Sequence, residues 1–65
     1  MDERLNLKQI RLVRGISQEE MAERLNVHVN TYRQWENEPM KVSVGTAFKI
    51  SQILDVPIST IFFEQ

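Results

Sequence analysis

The run SQEEMAERLNVHVNTYRQWE, residues 17–36, confines this chain to two short helices joined by a tight turn. Ser17 with Glu20 three residues on is a capping box: the hydroxyl accepts from a free first-turn N–H, and the Glu side chain reaches back to the N–H of the cap. Met21, Ala22 and Leu25 then form one narrow apolar face. Asn26 ends the helix, because Asn tolerates the left-handed conformation at a helix terminus. Val27 plugs the turn, and a second helix begins near His28 to Asn30. Tyr32 and Trp35, at i and i+3, give it an inward face; Val29, Asn30, Arg33 and Gln34 give it an outward one.

The rest of the chain reads as helix too. A first helix runs over about 6–14, with Leu7, Ile10 and either Val13 or Leu12 inward, and Gly15 supplies its stop. The two helices of the central run cover about 18–25 and 29–36. A loop over 37–42 follows, where Pro39 breaks any continuation. Ser43 caps a fourth helix in which Ala47, Ile50, Ser51 and Leu54 recur at helical spacing. Gly45 in its first turn is a small penalty, about 1 kcal/mol against Ala in a full helix interior. A short fifth helix over about 58–63 packs Ile58, Ile61 and Phe62 back. Strand alternation, internal repeats and low-complexity segments are absent from the sequence.

Sixty-five residues hold one core, so residues 1–65 are expected to form a single domain with its central motif at about 17–36. With no cysteine and one histidine, neither disulfides nor a structural zinc can staple it. Helix packing, assisted by dimerisation, must suffice. No apolar run approaches the roughly 20 residues of a membrane span and no signal peptide is visible, which fits a soluble cytoplasmic protein.

Two helices joined by such a turn form a helix-turn-helix, which lays its second helix in the major groove of DNA. Asn30 and Gln34 project from one face a turn apart, and their amides match the bidentate pairing that adenine offers. Val29 beside them suits a thymine methyl. Thr31 serves a base edge, a phosphate or merely the first turn of the helix. Arg33 suits a phosphate better than a guanine, since charge needs no strict register. Outside such a motif the same residues would read as a solvated face.

The net charge of −1 runs against this reading, since nucleic-acid-binding domains are often basic. Placement decides. Arg33, Lys41 in the following loop, and Lys8, Arg14 or Arg4 are expected to line one side, with Glu19, Glu23, Asp55 and Glu64 elsewhere. So few cations imply few phosphate contacts per subunit and an affinity that depends on a dimer.

From about Leu7 to Phe62 the chain resembles the Cro and repressor type helix-turn-helix regulators of phages and bacteria. The pieces IRLVRG, SQEEMAERL, NTYRQWE and LDVPISTIFF stand in that family's order and spacing. The resemblance implies an all-α, five-helix, lambda-repressor-like DNA-binding domain whose helices two and three form the motif. It implies that Gln18 clamps a DNA phosphate, at a helix start where free N–H groups favour an anion. It also implies a partly buried, structural ion pair between Arg11 and Glu36. His28 touches a phosphate or simply caps its helix. Three departures stand out: Asn26 where glycine is usual, His28 where a Ser or Thr cap is usual, and Pro57 in place of a Ser or Asp cap.

Short members of that family commonly pair through the last helix or the loop before it. The terminal IFF agrees: with Ile61 and Phe62 spent on the core, Phe63 is left as the exposed ring of a dimer interface. A two-fold dimer sets its recognition helices about 34 Å apart, and its operator is then roughly palindromic. The expected function is a phage or prophage Cro-like repressor acting by operator occupancy on double-stranded DNA. Alternatives are the DNA-binding antitoxin of a toxin–antitoxin pair, or a protein-interaction module on the same fold. Enzyme chemistry finds no support: there is no Gly-rich phosphate loop, the only His lies in the motif, and Glu19 and Glu20 are adjacent and so do not face each other on a helix. No metal, cofactor or small-molecule ligand is expected.

Overall fold

A computed structural model describes residues 6–62. Those residues form five α-helices, α1 (Leu7–Val13), α2 (Gln18–Leu25), α3 (Val29–Asn37), α4 (Val44–Leu54) and α5 (Ile58–Ile61), with a 3₁₀ turn at Pro39–Lys41 between α3 and α4.

Three helices stop by the same device. Gly15, Asn26 and Asp55 all take positive φ, at 74°, 60° and 59°. After each, an apolar residue donates its N–H five residues back: Ile16 to Arg11 O at 3.2 Å, Val27 to Ala22 O at 3.0 Å, and Val56 to Ser51 O at 3.1 Å. The left-handed residues donate to Leu12, Glu23 and Gln52 at 3.0, 3.1 and 3.2 Å, completing the paired bonds of a Schellman motif. Ile16, Val27 and Val56 pack against the core, so each stop also turns an apolar side chain inward.

The starts are more varied. Asn6 and Gln9 form a reciprocal capping box at 2.8 Å in both directions, which the sequence reading missed. At α2 the box expected of Ser17 and Glu20 is half made. Ser17 Oγ accepts from the Glu20 N–H at 3.0 Å, but the Glu20 carboxylate turns to Arg24 one turn on, at 2.5 Å. That i,i+4 charge pair competes successfully with a return bond to a solvent-exposed N–H. Ser43 caps α4 through the Thr46 N–H at 3.2 Å. Pro57 precedes α5 with no side-chain cap, and α5 closes at Ile61.

The core gathers Leu7 and Ile10 of α1, Met21, Ala22 and Leu25 of α2, Tyr32 of α3, Ile50 and Leu54 of α4 and Ile61 of α5. Trp35 lies partly buried against it, edge-on to Tyr32 with ring centroids 6.5 Å apart. In α1 the inward stripe is Leu7, Ile10 and Arg11, whereas Leu12 and Val13 are exposed. Neither Val13 nor Leu12 therefore points inward. The i, i+3, i+4 spacing lands on an arginine, whose burial is tolerable because a carboxylate meets it there.

Candidate nucleic-acid interface

The site is built at the junction of α2 and α3. The αL turn at Asn26 brings the chain round, and His28 starts α3 by accepting the Asn30 N–H on Nδ1 at 3.1 Å. With Tyr32 inward at 0% exposure and Trp35 beside it, helical periodicity leaves Asn30, Arg33 and Gln34 exposed. Thr31 is half-buried. Val29 departs from its expected outward place: it is half-buried and, like the turn residue Val27, packs against the core.

Beneath this face lies a buried charge pair. Arg11 Nε donates to Glu36 Oε2 at 2.6 Å and Nη2 to Oε1 at 3.4 Å, with side chains only 6% and 4% exposed. Arg11 Nη1 also donates to the Ile16 carbonyl at 2.8 Å, binding the end of α1 to the turn before α2. Burial alone would raise the Glu36 pKa, but hydrogen bonds from Arg11 and Gln18 and the Arg11 charge outweigh it and hold the carboxyl below its ordinary value. Burial likewise opposes the Arg11 charge, and Glu36 overcomes it, so the Arg11 pKa rises. The Tyr32 hydroxyl is buried next to this pair and makes no hydrogen bond. Burial first, then the close approach of the Glu36 carboxylate and its charge, push its pKa well above that of free tyrosine.

Gln18 connects the buried pair to the surface. Its Nε2 donates to Glu36 Oε1 at 2.9 Å and its Oε1 accepts from Arg33 Nε at 3.1 Å. Because a carboxylate only accepts and a guanidinium only donates, the orientation of the Gln18 amide is fixed. Arg33 is further held by Asn30 Oδ1 at 2.9 Å and Glu19 Oε2 at 3.4 Å.

Two expected placements of charge are revised. Glu19 does not lie elsewhere but pairs with Arg33 on the candidate face itself. Arg14 does not line that face; its guanidinium donates to the Leu54 and Asp55 carbonyls at 2.8 and 3.2 Å, closing the end of α4. Asp55 serves as the left-handed residue of that same end. Lys41 is exposed and pairs with Glu38 at 3.2 Å. The i,i+3 spacing of Glu38 and Lys41 was a readable signal; the Glu19–Arg33 and Arg14–Leu54 contacts join different helices and had none. Lys8 and Glu23 are exposed, while Arg4, Glu64 and Phe63 fall outside the described residues.

Away from this face, Pro39, Met40, Val42, Val44, Ala47, Ile61 and Phe62 line an open groove of about 530 Å³. Met40 at its edge is 96% exposed, and Val44 and Phe48 are also largely exposed. Among the described residues no group of His, Cys, Asp or Glu is arranged to hold a metal ion, and no helix is long and apolar enough to cross a membrane.

The family described as Helix-turn-helix matches residues 7–61. Neither a curated protein nor a solved structure matches the chain significantly. The family match spans every helix described above, including the α2–turn–α3 unit with its exposed second helix. The chain belongs to the Cro and repressor type helix-turn-helix family of DNA-binding transcriptional regulators.

Proposed function

We propose that this protein is a Cro-like repressor, of phage or prophage type, that works in the cytoplasm by occupying an operator in double-stranded DNA. The observation that carries this reading is the exposure of Asn30, Arg33 and Gln34 along one side of α3 while Tyr32 and Trp35 turn inward. Residues 1–65 act as one DNA-binding domain. Asn30 and Gln34 read bases through their amides, with Thr31 and the exposed part of Val29 beside them. Gln18, Arg33, Lys41 and His28 meet phosphates and set the register. Arg11 and Glu36 serve structure, holding the motif together.

The active species is a homodimer on a roughly palindromic site, paired through Phe63 and through the apolar groove. The exposed Met40, Val44 and Phe48 support this pairing, since a contiguous apolar patch at a domain surface commonly marks an interface. Two-fold symmetry then puts the recognition helices one DNA turn apart.

A second reading, a protein-interaction module on the same fold, draws support from the carboxylates paired with Arg33 and Lys41. Selection from a pool of random duplex DNA at two salt concentrations separates the two. Enrichment of a palindrome with half-sites about one helical turn apart supports the repressor. Failure to enrich any sequence at low salt favours the protein-interaction module. The Asn30→Ala, Arg33→Ala, Gln34→Ala triple variant should lose the enriched site while keeping its helicity.

A further inference from the structure

Among the described residues Arg33 is the one cation seated among the amides of the candidate interface, and all three nitrogens of its guanidinium are already engaged. Nε meets Gln18 Oε1, Nη1 meets Asn30 Oδ1, and Nη2 meets Glu19 Oε2. The first two acceptors are neutral amides, which orient the guanidinium without cancelling its charge. Glu19 is different. It is an anion, it sits in the first turn of α2, and it is itself exposed.

We propose that Glu19 is a built-in competitor for the phosphate that Arg33 takes, holding down the affinity of this protein for duplex DNA. The inference rests on the DNA-binding reading above. Nη2 belongs to both bidentate edges of a guanidinium, so a carboxylate there opposes a phosphate by place as well as by charge. The pair is also made to be broken. Its separation is 3.4 Å and its side chains are 45% and 69% exposed, the kind of surface contact that contributes little to folding. Gln18 and Asn30 keep the guanidinium aimed when Glu19 leaves. A chain of net charge −1 thereby trades non-specific grip for dependence on the correct site, because every phosphate contact at Arg33 must first displace an anion.

The test is a double-mutant cycle read by DNA affinity at fixed salt, on both the selected operator and a random duplex. Glu19→Gln should tighten binding about three- to tenfold, at or above the upper end of what a surface pair alone is worth, because loss of the carboxylate also removes its repulsion of the phosphate. Glu23→Gln, which changes net charge equally from an exposed site on the same helix, should change it by less than about twofold. In an Arg33→Gln background, Glu19→Gln should have no more than a twofold effect. Equal gains from Glu19→Gln and Glu23→Gln would assign the effect to net charge and overturn the proposal. So would a Glu19→Gln gain that persists without Arg33, or no gain at all in a protein that binds DNA. If neither the native chain nor Glu19→Gln binds any duplex at low salt, the DNA-binding reading falls and this proposal with it.

Discussion

The amide of Gln18 donates to the carboxylate of Glu36 at 2.9 Å, joining the first residue of α2 to the last full turn of α3. Glu36 thus serves two partners from different elements, Arg11 of α1 and Gln18 of α2. Through Gln18 the buried pair reaches Arg33, so one carboxylate fixes both the helix packing and the posture of the surface cation.

Replacing Glu36 by Gln should therefore be costly and should alter the pH response. It leaves the Arg11 charge buried beside a neutral group, and breaking one partner of a buried pair typically costs about 3–5 kcal/mol. In the native protein the carboxyl pKa is lower folded than unfolded. Its contribution is then complete above the ordinary value of 4.5 and is lost as pH falls through the depressed folded pKa. Urea melts of the native chain from pH 7 to pH 2.5 should show that loss, and those of Glu36→Gln should show a flatter acid limb from a lower plateau. Parallel pH profiles would remove Glu36 from the account.

Tyr32→Phe should be neutral or stabilising, by up to about 1 kcal/mol, because it deletes a buried hydroxyl without a partner while keeping the ring. The linkage has the opposite sign from that of Glu36. A phenol whose folded pKa is raised contributes stability that is complete below the ordinary 10.0 and fades as pH climbs above it, because the unfolded chain ionises first. Tyr32 is the only tyrosine, so phenolate absorbance reports it alone. That absorbance should appear together with loss of helicity, not before it. A phenolate forming in the folded protein would contradict its burial.

The elements that the sequence made legible are those governed by local rules. Gly15, Asn26, Pro39 and Ser43 each announce a helix boundary through backbone conformation or capping, and every helix lies within a few residues of its expected span. The apolar periodicity of α2 and α4 identified Met21, Ala22, Leu25, Ala47, Ile50, Ser51 and Leu54 as inward, and all are buried. Periodicity failed in α1, where the buried stripe includes Arg11: a hydrophobic pattern cannot see a charge that is neutralised 25 residues away. It failed again at Val29, whose depth depends on how the turn packs. Charge placement was the least readable, since Arg14 and Glu19 take their roles from groups brought near only by folding.

The two non-glycine helix stops offer a direct test of the backbone argument. Asn26 and Asp55 hold φ of 60° and 59°, where a side chain with a Cβ is disfavoured by roughly 1–2 kcal/mol unless it is Asn or Asp. Asn26→Ala should lower stability by about 1 kcal/mol and Asn26→Gly should change it by less than that. The same ordering should hold at Asp55. Thermal melts in which Ala and Gly behave alike at either site would mean that the positive φ carries no conformational penalty there.

The apolar groove makes a different demand, because its edge is more exposed than folding requires. Met40 is 96% exposed and contributes almost nothing to the monomer core, so Met40→Glu should leave the monomer's fold intact. If a second copy covers the groove, that carboxylate would be desolvated at the interface, and dimerisation should weaken by about tenfold or more. Phe63→Glu should act in the same direction, and the two changes together should give a monomer at concentrations where the native chain is paired. Sedimentation across a hundredfold range of concentration reads both. Operator affinity should fall with dimerisation in each variant, since a single recognition helix with so few free cations has little hold on DNA alone. An unchanged oligomeric state in both variants would mean that the two copies meet elsewhere, or that the native chain does not pair.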